Sequence, residues 1–226
     1  MMNMKIMREF WSKYNLKQKK LAAKIIKYNS KFNINFLEKG HYNHTRDLLA
    51  ISMAFLNKKK KIKVLDFGSN IVTLANLNNK INISKCNFTI FDPFNNKNNK
   101  KIKIENVKYK ITCNEKKIMK EKFQLIHFGS SIQYEEKFLD KIDHFNLKET
   151  KVIIFTHTPI SMELPYCSDQ TNHLKLIQYI HSLNHLIKKL KEKKFFLIFK
   201  SRNENKYIAC EKRSFKTYSL NLIFKK

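Results

Sequence analysis

The residues that could do chemistry in this 226-residue chain gather where short apolar runs stop. Ile62 to Phe67 carries Val64, Leu65 and Asp66 and is followed at once by Gly68. Asn87–Phe91 ends at Asp92-Pro93, Phe123–Phe128 at Gly129-Ser130-Ser131, and Val152–Phe155 at Thr156-His157-Thr158-Pro159. Gly68 and Gly129 are two of only 3 glycines in the chain, and each directly follows a strand-like run. Glycine there permits a tight turn or lets a ligand approach the backbone closely. A turn alone accounts for either glycine, but the two together favour a ligand crevice. Asp92 ends the run one strand–helix–strand unit after Gly68. A carboxylate so placed suits the two ribose hydroxyls of a nucleoside, although Asp-Pro also initiates turns. His157 brings an imidazole, whose ordinary pKa lies near neutrality.

These positions need a scaffold that lines up strand ends. Strand-like segments at 62–67, 87–91, 107–112, 123–128, 152–155 and 195–199 alternate with helical patterns at Ile71–Leu77 and Glu135–Ile142. A long helix is expected over His173–Lys191, with Leu174, Ile177, Ile180, Leu183, Ile187 and Leu190 as its stripe. Continuous apolar strands alternating with helices predict a mostly parallel sheet covered on both faces. Phe195–Phe199 and Tyr218–Phe224, joined by a polar segment, predict a terminal antiparallel hairpin. Residues 1–44 read as a basic helical extension ahead of one domain over 45–226, where Thr45 caps a helix with Leu48, Ile51 and Phe55 on one face. Asn95–Lys101 reads as a solvated loop, and Thr156–Asn172 as a long connection. Connections longer than about 12 residues without structure are commonly functional.

Other classes are excluded by what is scarce. The longest apolar run, Leu48–Phe55, falls far short of the roughly 20 residues that span a bilayer, and the basic, mixed N-terminus lacks a signal-peptide core. A cytoplasmic chain is the expectation, and Cys86, Cys113, Cys167 and Cys210, with no CxxC pair, are expected as thiols. No metal is expected: His41/His44 and His181/His185 lack accompanying carboxylate or thiolate ligands. The glycines fit neither a P-loop nor a nucleophile elbow. The 46 Lys and Arg against 18 Asp and Glu give a net charge of +28, which predicts salt-sensitive, non-specific nucleic-acid binding. Almost all of it is Lys, amid abundant Asn, Ile and Phe, so A+T-rich coding explains the charge better than a polyanion partner does. Arg forks suited to reading guanine or phosphate are scarce.

At the strand ends the chain resembles a class I S-adenosylmethionine-dependent methyltransferase. The first-strand motif is Val64-Leu65-Asp66-Phe67-Gly68-Ser69-Asn70 and the second-strand acid is Asp92. Phe123 to Tyr134, with Gly129-Ser130-Ser131-Ile132-Gln133-Tyr134, is similar to the SS-x-LQY segment of a methyltransferase family found among polysaccharide-biosynthesis genes. Thr156-His157-Thr158-Pro159 is similar to that family's fifth-strand end, with His157 where the family has Arg. Ser69 and Asn70 replace the usual further glycines.

The resemblance covers roughly residues 45–200 and implies a Rossmann-like sandwich, trimmed over 93–106, binding S-adenosylmethionine. It implies that Asp66, Gly68, Ser69 and Asn70 line the methionine part of the cofactor, Asp92 binds the ribose, and Phe94 stacks near the adenine. Ser130, Ser131, Gln133 and Tyr134 form the floor between cofactor and acceptor. The acceptor it implies is a small molecule or glycan precursor, methylated at oxygen. An oxygen acceptor needs a base for its proton, and His157, with Tyr134 as the other candidate, stands at the strand ends for that role. The long connection Thr156–Asn172 is expected to wall the acceptor side with Tyr166 and Asp169 as contacts, although a plain surface loop also accounts for it. A hydrogen-bonding role in its loop accounts for His157 equally well, whereas His127, inside a strand, reads as a packed core residue. Two other readings stay open: an RNA methyltransferase gripping phosphates with its basic segments, or an inactive binding subunit of the same fold.

Overall fold

The computed structural model describes residues 48, 52–53, 55–56, 61–68, 86–93, 100–104, 107–170, 176–203 and 216–226. The expected N-terminal extension and the helix at Ile71–Leu77 lie outside them.

The sheet is built outward from a central strand. Strand β1 (Ile62–Phe67) is buried on both faces and pairs in parallel with β2 (Cys86–Phe91) on one side and β5 (Leu125–Gly129) on the other. Beyond β2 lies β4 (Val107–Thr112), parallel, and beyond β5 lies β6 (Val152–Ser161), also parallel. The chain therefore runs outward in one direction from β1, returns, and runs outward in the other, so strand order reverses between β1 and β5. At the C-terminal side β10 (Thr217–Lys225) lies antiparallel between β6 and β9 (Phe196–Asn203). This pairing agrees with the antiparallel hairpin expected there.

Alternation along each strand sorts the core into two layers. Leu65, Phe67, Ile126, Phe128, Ile153 and Phe155 pack with helices α1 (Glu115–Lys120), α2 (Phe138–His144) and α3 (Leu183–Glu192). The Phe128 ring stacks on Phe155 at 5.1 Å and meets Phe138 edge-on at 5.0 Å. Val64, Ile90, Leu125 and Ile154 face the other way, against Leu48, Met53 and Leu56. That N-terminal helical face differs from expectation: Ser52 and Met53 are buried, while Phe55 is exposed with the Lys225 ammonium 5.1 Å from its ring centre.

Three expectations are corrected. Leu176–Ser182 is a strand, β8, not the first half of a helix; only Leu183 onward is helical. The three-residue spacing of Ile177, Ile180 and Leu183 satisfies a helix, but antiparallel pairing with β7 (Tyr166–Gln170) decides otherwise. Thr156–Asn172 is not one long connection. Strand β6 runs on through Pro159 to Ser161, because β10 pairs with it along its length, and β7 follows four residues later. Lys100 and Lys101, the end of the stretch Asn95–Lys101 read as a loop, instead begin β3 (Lys100–Ile104), an antiparallel edge strand on β4.

Candidate functional site

In open α/β sheets the ligand crevice lies beyond the carboxyl ends of the strands where strand order reverses, here above β1 and β5. Gly68 turns the chain there with φ +77°, its N–H donating to Phe91 O at 2.9 Å. A Cβ on Gly68 would lie 2.3 Å from the Ser131 Cβ, so β1 and β5 end in direct contact. The Ser131 hydroxyl donates to Phe67 O at 2.7 Å and ties the two ends together.

After β5 the left-handed turn falls on Ser130 (φ 50°), while Gly129 stays in the ladder opposite Thr156. Gln133 is buried in the following 3-10 turn (Ile132–Tyr134). Its Nε2 donates to Ser130 O at 2.8 Å and Ser130 Oγ at 3.0 Å. A ring nitrogen of buried His181, Nε2, lies 3.2 Å from Ile132 O and 3.1 Å from Glu135 O. Carbonyls only accept, so Nε2–H donates and β8 holds the turn in place. Burial holds the His181 pKa below its usual 6.5, against the opposing pull of those two carbonyls.

Strand β6 changes neighbours at the same level. Its residues up to Thr156 pair with β5, and Ile160 and Ser161 pair with β8. Between these lies a β-bulge: Phe155 faces Leu222 and Thr158 faces Leu220, so Thr156 and His157 together oppose Asn221. His157 has φ 50°, and its N–H donates to Asn221 Oδ1 at 3.0 Å. Bulges of this kind re-aim side chains at sheet rims and beside sites.

The least expected feature is a buried polar relay across three strands. Asp66 and His127 stand opposite each other on β1 and β5. They are 1 % and 0 % exposed, with Asp66 Oδ1 2.8 Å from His127 Nδ1. His127 Nε2 is 2.8 Å from the hydroxyl of Thr156 on β6, itself 1 % exposed. A carboxylate only accepts, so Nδ1–H donates to Asp66, and in the neutral imidazole Nε2 accepts from Thr156. The second oxygen, Asp66 Oδ2, is buried with no hydrogen-bond partner. Thr156 O in turn accepts the Ser130 N–H at 2.9 Å. His127 is thus a core residue as expected, but one with two polar partners. A signal for it lies in the sequence: Asp66 and His127 each stand two residues before a glycine, Gly68 and Gly129.

The expected residues Asp66, Gly68, Ser130, Ser131, Gln133 and Tyr134 thus lie at or just beyond the ends of β1 and β5, and His157 lies at the bulge within β6. Asp92 follows β2, its N–H donating to Thr112 O at 3.0 Å. Ser69, Asn70 and Phe94 lie outside the described residues. Tyr166, on β7, pairs its hydroxyl with Thr217 Oγ1 rather than sitting in a loop, and Asp169 lies on the same strand. Among the described residues no group of three or more His, Cys, Asp or Glu could hold a metal ion, and no helix is long and apolar enough to cross a membrane.

The fold is the Rossmann-like sandwich of class I methyltransferases, with a mostly parallel sheet and an antiparallel C-terminal element. Magnesium protoporphyrin IX methyltransferase from Synechocystis PCC 6803, solved with bound SAH, is similar at a TM-score of 0.55 and 11 % identity, over 99 % of this chain and 100 % of that one. The 1,6-didemethyltoxoflavin-N1-methyltransferase from Burkholderia thailandensis, with bound 1,6-didemethyltoxoflavin and S-adenosylhomocysteine, is similar at 0.53 and 12 % identity, over 98 % of this chain and 87 % of that one. The likeness is one of fold. Comparison with protein-family models and with curated proteins gives no match.

Proposed function

We propose that the chain is an S-adenosylmethionine-dependent methyltransferase that methylates a small-molecule or glycan-precursor acceptor at oxygen. The observation that carries this reading is Asp66 Oδ2, a buried carboxylate oxygen without a partner at the carboxyl end of β1, beside the reversal of strand order. An unpaired buried carboxylate oxygen is costly, and a cationic ligand group seated above it removes that cost. Asp92, one strand over, is placed for ribose hydroxyls. The donor set therefore fits a ligand that combines a nucleoside with an amino-acid portion. The two similar enzymes, solved with S-adenosylhomocysteine, support that choice. The glycan-precursor class rests on the resemblance around Gly129–Tyr134.

When bound, the cofactor supplies a methyl carbon activated by positively charged sulfur. The protein's part is alignment. Asp66 and Asp92 orient the donor from the ends of β1 and β2. The Ser130–Tyr134 turn, clamped by Gln133 and His181, forms the floor. His157, set at the β6 bulge, takes the proton of the acceptor hydroxyl, with Tyr134 as the other candidate base.

Calorimetric titration with S-adenosylmethionine and S-adenosylhomocysteine tests this. Micromolar-range binding that Asp92→Ala weakens about tenfold, about 1.4 kcal/mol, is the expected result. Binding of neither ligand would overturn it.

A further inference from the structure

We infer that His127 and Thr156 are positioning residues that aim the Asp66 carboxylate at the amine of the cofactor's amino-acid portion. The inference rests on the methyltransferase reading and adds to it two residues that contact no ligand themselves.

The relay is costly to bury. Asp66, His127 and Thr156 occupy inward positions where β1, β5 and β6 otherwise carry Val64, Leu125 and Ile154. A buried polar trio in such a layer stabilises a fold no better than well-packed aliphatic residues would. Its distinctive consequence is directional. A carboxylate pivots about its last torsion, a soft one. The 2.8 Å contact with His127 Nδ1 commits Oδ1 and fixes the plane. The ring cannot turn in its place, because the Thr156 hydroxyl holds its other nitrogen at 2.8 Å. All three residues stand on adjacent strands in fixed register, a more exact support than a loop gives. Oδ2 is thereby the one carboxylate oxygen left for a donor. A buried anionic acceptor is matched best by a charged donor, which makes a shorter and stronger hydrogen bond. In the proposed cofactor the charged nitrogen donor is the amine of its amino-acid portion. Thr156 links the relay to the floor as well, since its carbonyl accepts the Ser130 N–H at 2.9 Å.

The test compares two ligands. S-adenosylhomocysteine carries the amino-acid portion; 5′-methylthioadenosine keeps the nucleoside and sulfur and lacks it. Both are titrated calorimetrically into the wild-type chain, His127→Gln, Thr156→Val and Asp66→Asn. The two relay variants are expected to lose about tenfold or more in affinity for S-adenosylhomocysteine while 5′-methylthioadenosine binding stays within about twofold. The double variant of His127→Gln with Asp66→Asn is expected to lose little beyond Asp66→Asn alone, because His127 acts through Asp66. Thr156→Val, close in shape, carries the test should His127→Gln not fold. Equal loss of both ligands, or unchanged S-adenosylhomocysteine binding, would sink the inference and leave the methyltransferase reading standing. A wild-type chain that binds neither ligand would remove both.

Discussion

Residue 68 admits no side chain. Its φ of +77° costs an L-residue, and its missing Cβ leaves the space that the Ser131 Cβ takes at 2.3 Å. Gly68→Ala combines overpacking with a left-handed backbone penalty, an expected loss of about 2–5 kcal/mol in urea unfolding. Adding Ser131→Gly is expected to return part of that loss by removing the atom in the way. Stability of Gly68→Ala equal to that of wild type would show that the two strand ends do not meet as described. Gly68 therefore serves strand packing at the crevice whether or not a ligand also uses its backbone. The same scale explains Gln133: with both Nε2 protons committed to Ser130, its buried Oε1 is left without a partner. It is the second unpaired buried acceptor in this region.

At the scale of elements, β8 matters through one residue. His181 reaches from β8 to the carbonyls of the 3-10 turn, and burial keeps its imidazole neutral below the usual 6.5. The unfolded chain then binds a proton that the folded chain refuses, so stability is full above pH 6.5 and falls as the pH drops below it. Denaturant midpoints measured across that range are expected to decline on acidification. His181→Gln, which keeps a donor but does not titrate, is expected to flatten that part of the decline. An unchanged slope in the variant would assign the acid sensitivity elsewhere.

Strands β1, β2, β5 and the first part of β6 were legible because each is a short apolar run closed by Gly, Asp or Thr, and the candidate residues stand where those runs close. β8 was not legible, because Ile177, Ile180 and Leu183 suit a helix and only the pairing with β7 overrides that. The extension of β6 through Pro159 was hidden for the same reason, since β10 holds it from far along the chain. The relay was half legible. Asp66 marked itself by preceding Gly68, but the bond from His127 to Thr156 depends on how β5 and β6 align, which no local pattern encodes.

For the whole molecule the dominant quantity is charge. A formal +28 predicts attraction to any polyanion. Binding to mixed-sequence RNA or DNA is expected to fall steeply between about 50 and 200 mM salt, with no preference for one structure. The affinity for S-adenosylhomocysteine, followed in the same titrations, is expected to change far less, because Asp66, the carboxylate proposed to hold it, is buried and poorly screened. A salt-resistant complex with one folded RNA would instead favour an RNA acceptor.

The placement of β10 also bears on how the chain is made. It follows β9 in sequence yet lies between β6 and β9, and among the described residues it is the one ladder partner of β9. Every other strand leaves the ribosome before the one that joins them. A nascent chain halted ahead of Thr217 would hold β1, β2 and β5 paired on one side and, on the other, the edges of β6 and β9 with nothing between them. Such unpaired edges invite wrong pairing. Insertion of that one strand into the open gap closes the sheet and, through Asn221, also sets the β6 bulge at His157.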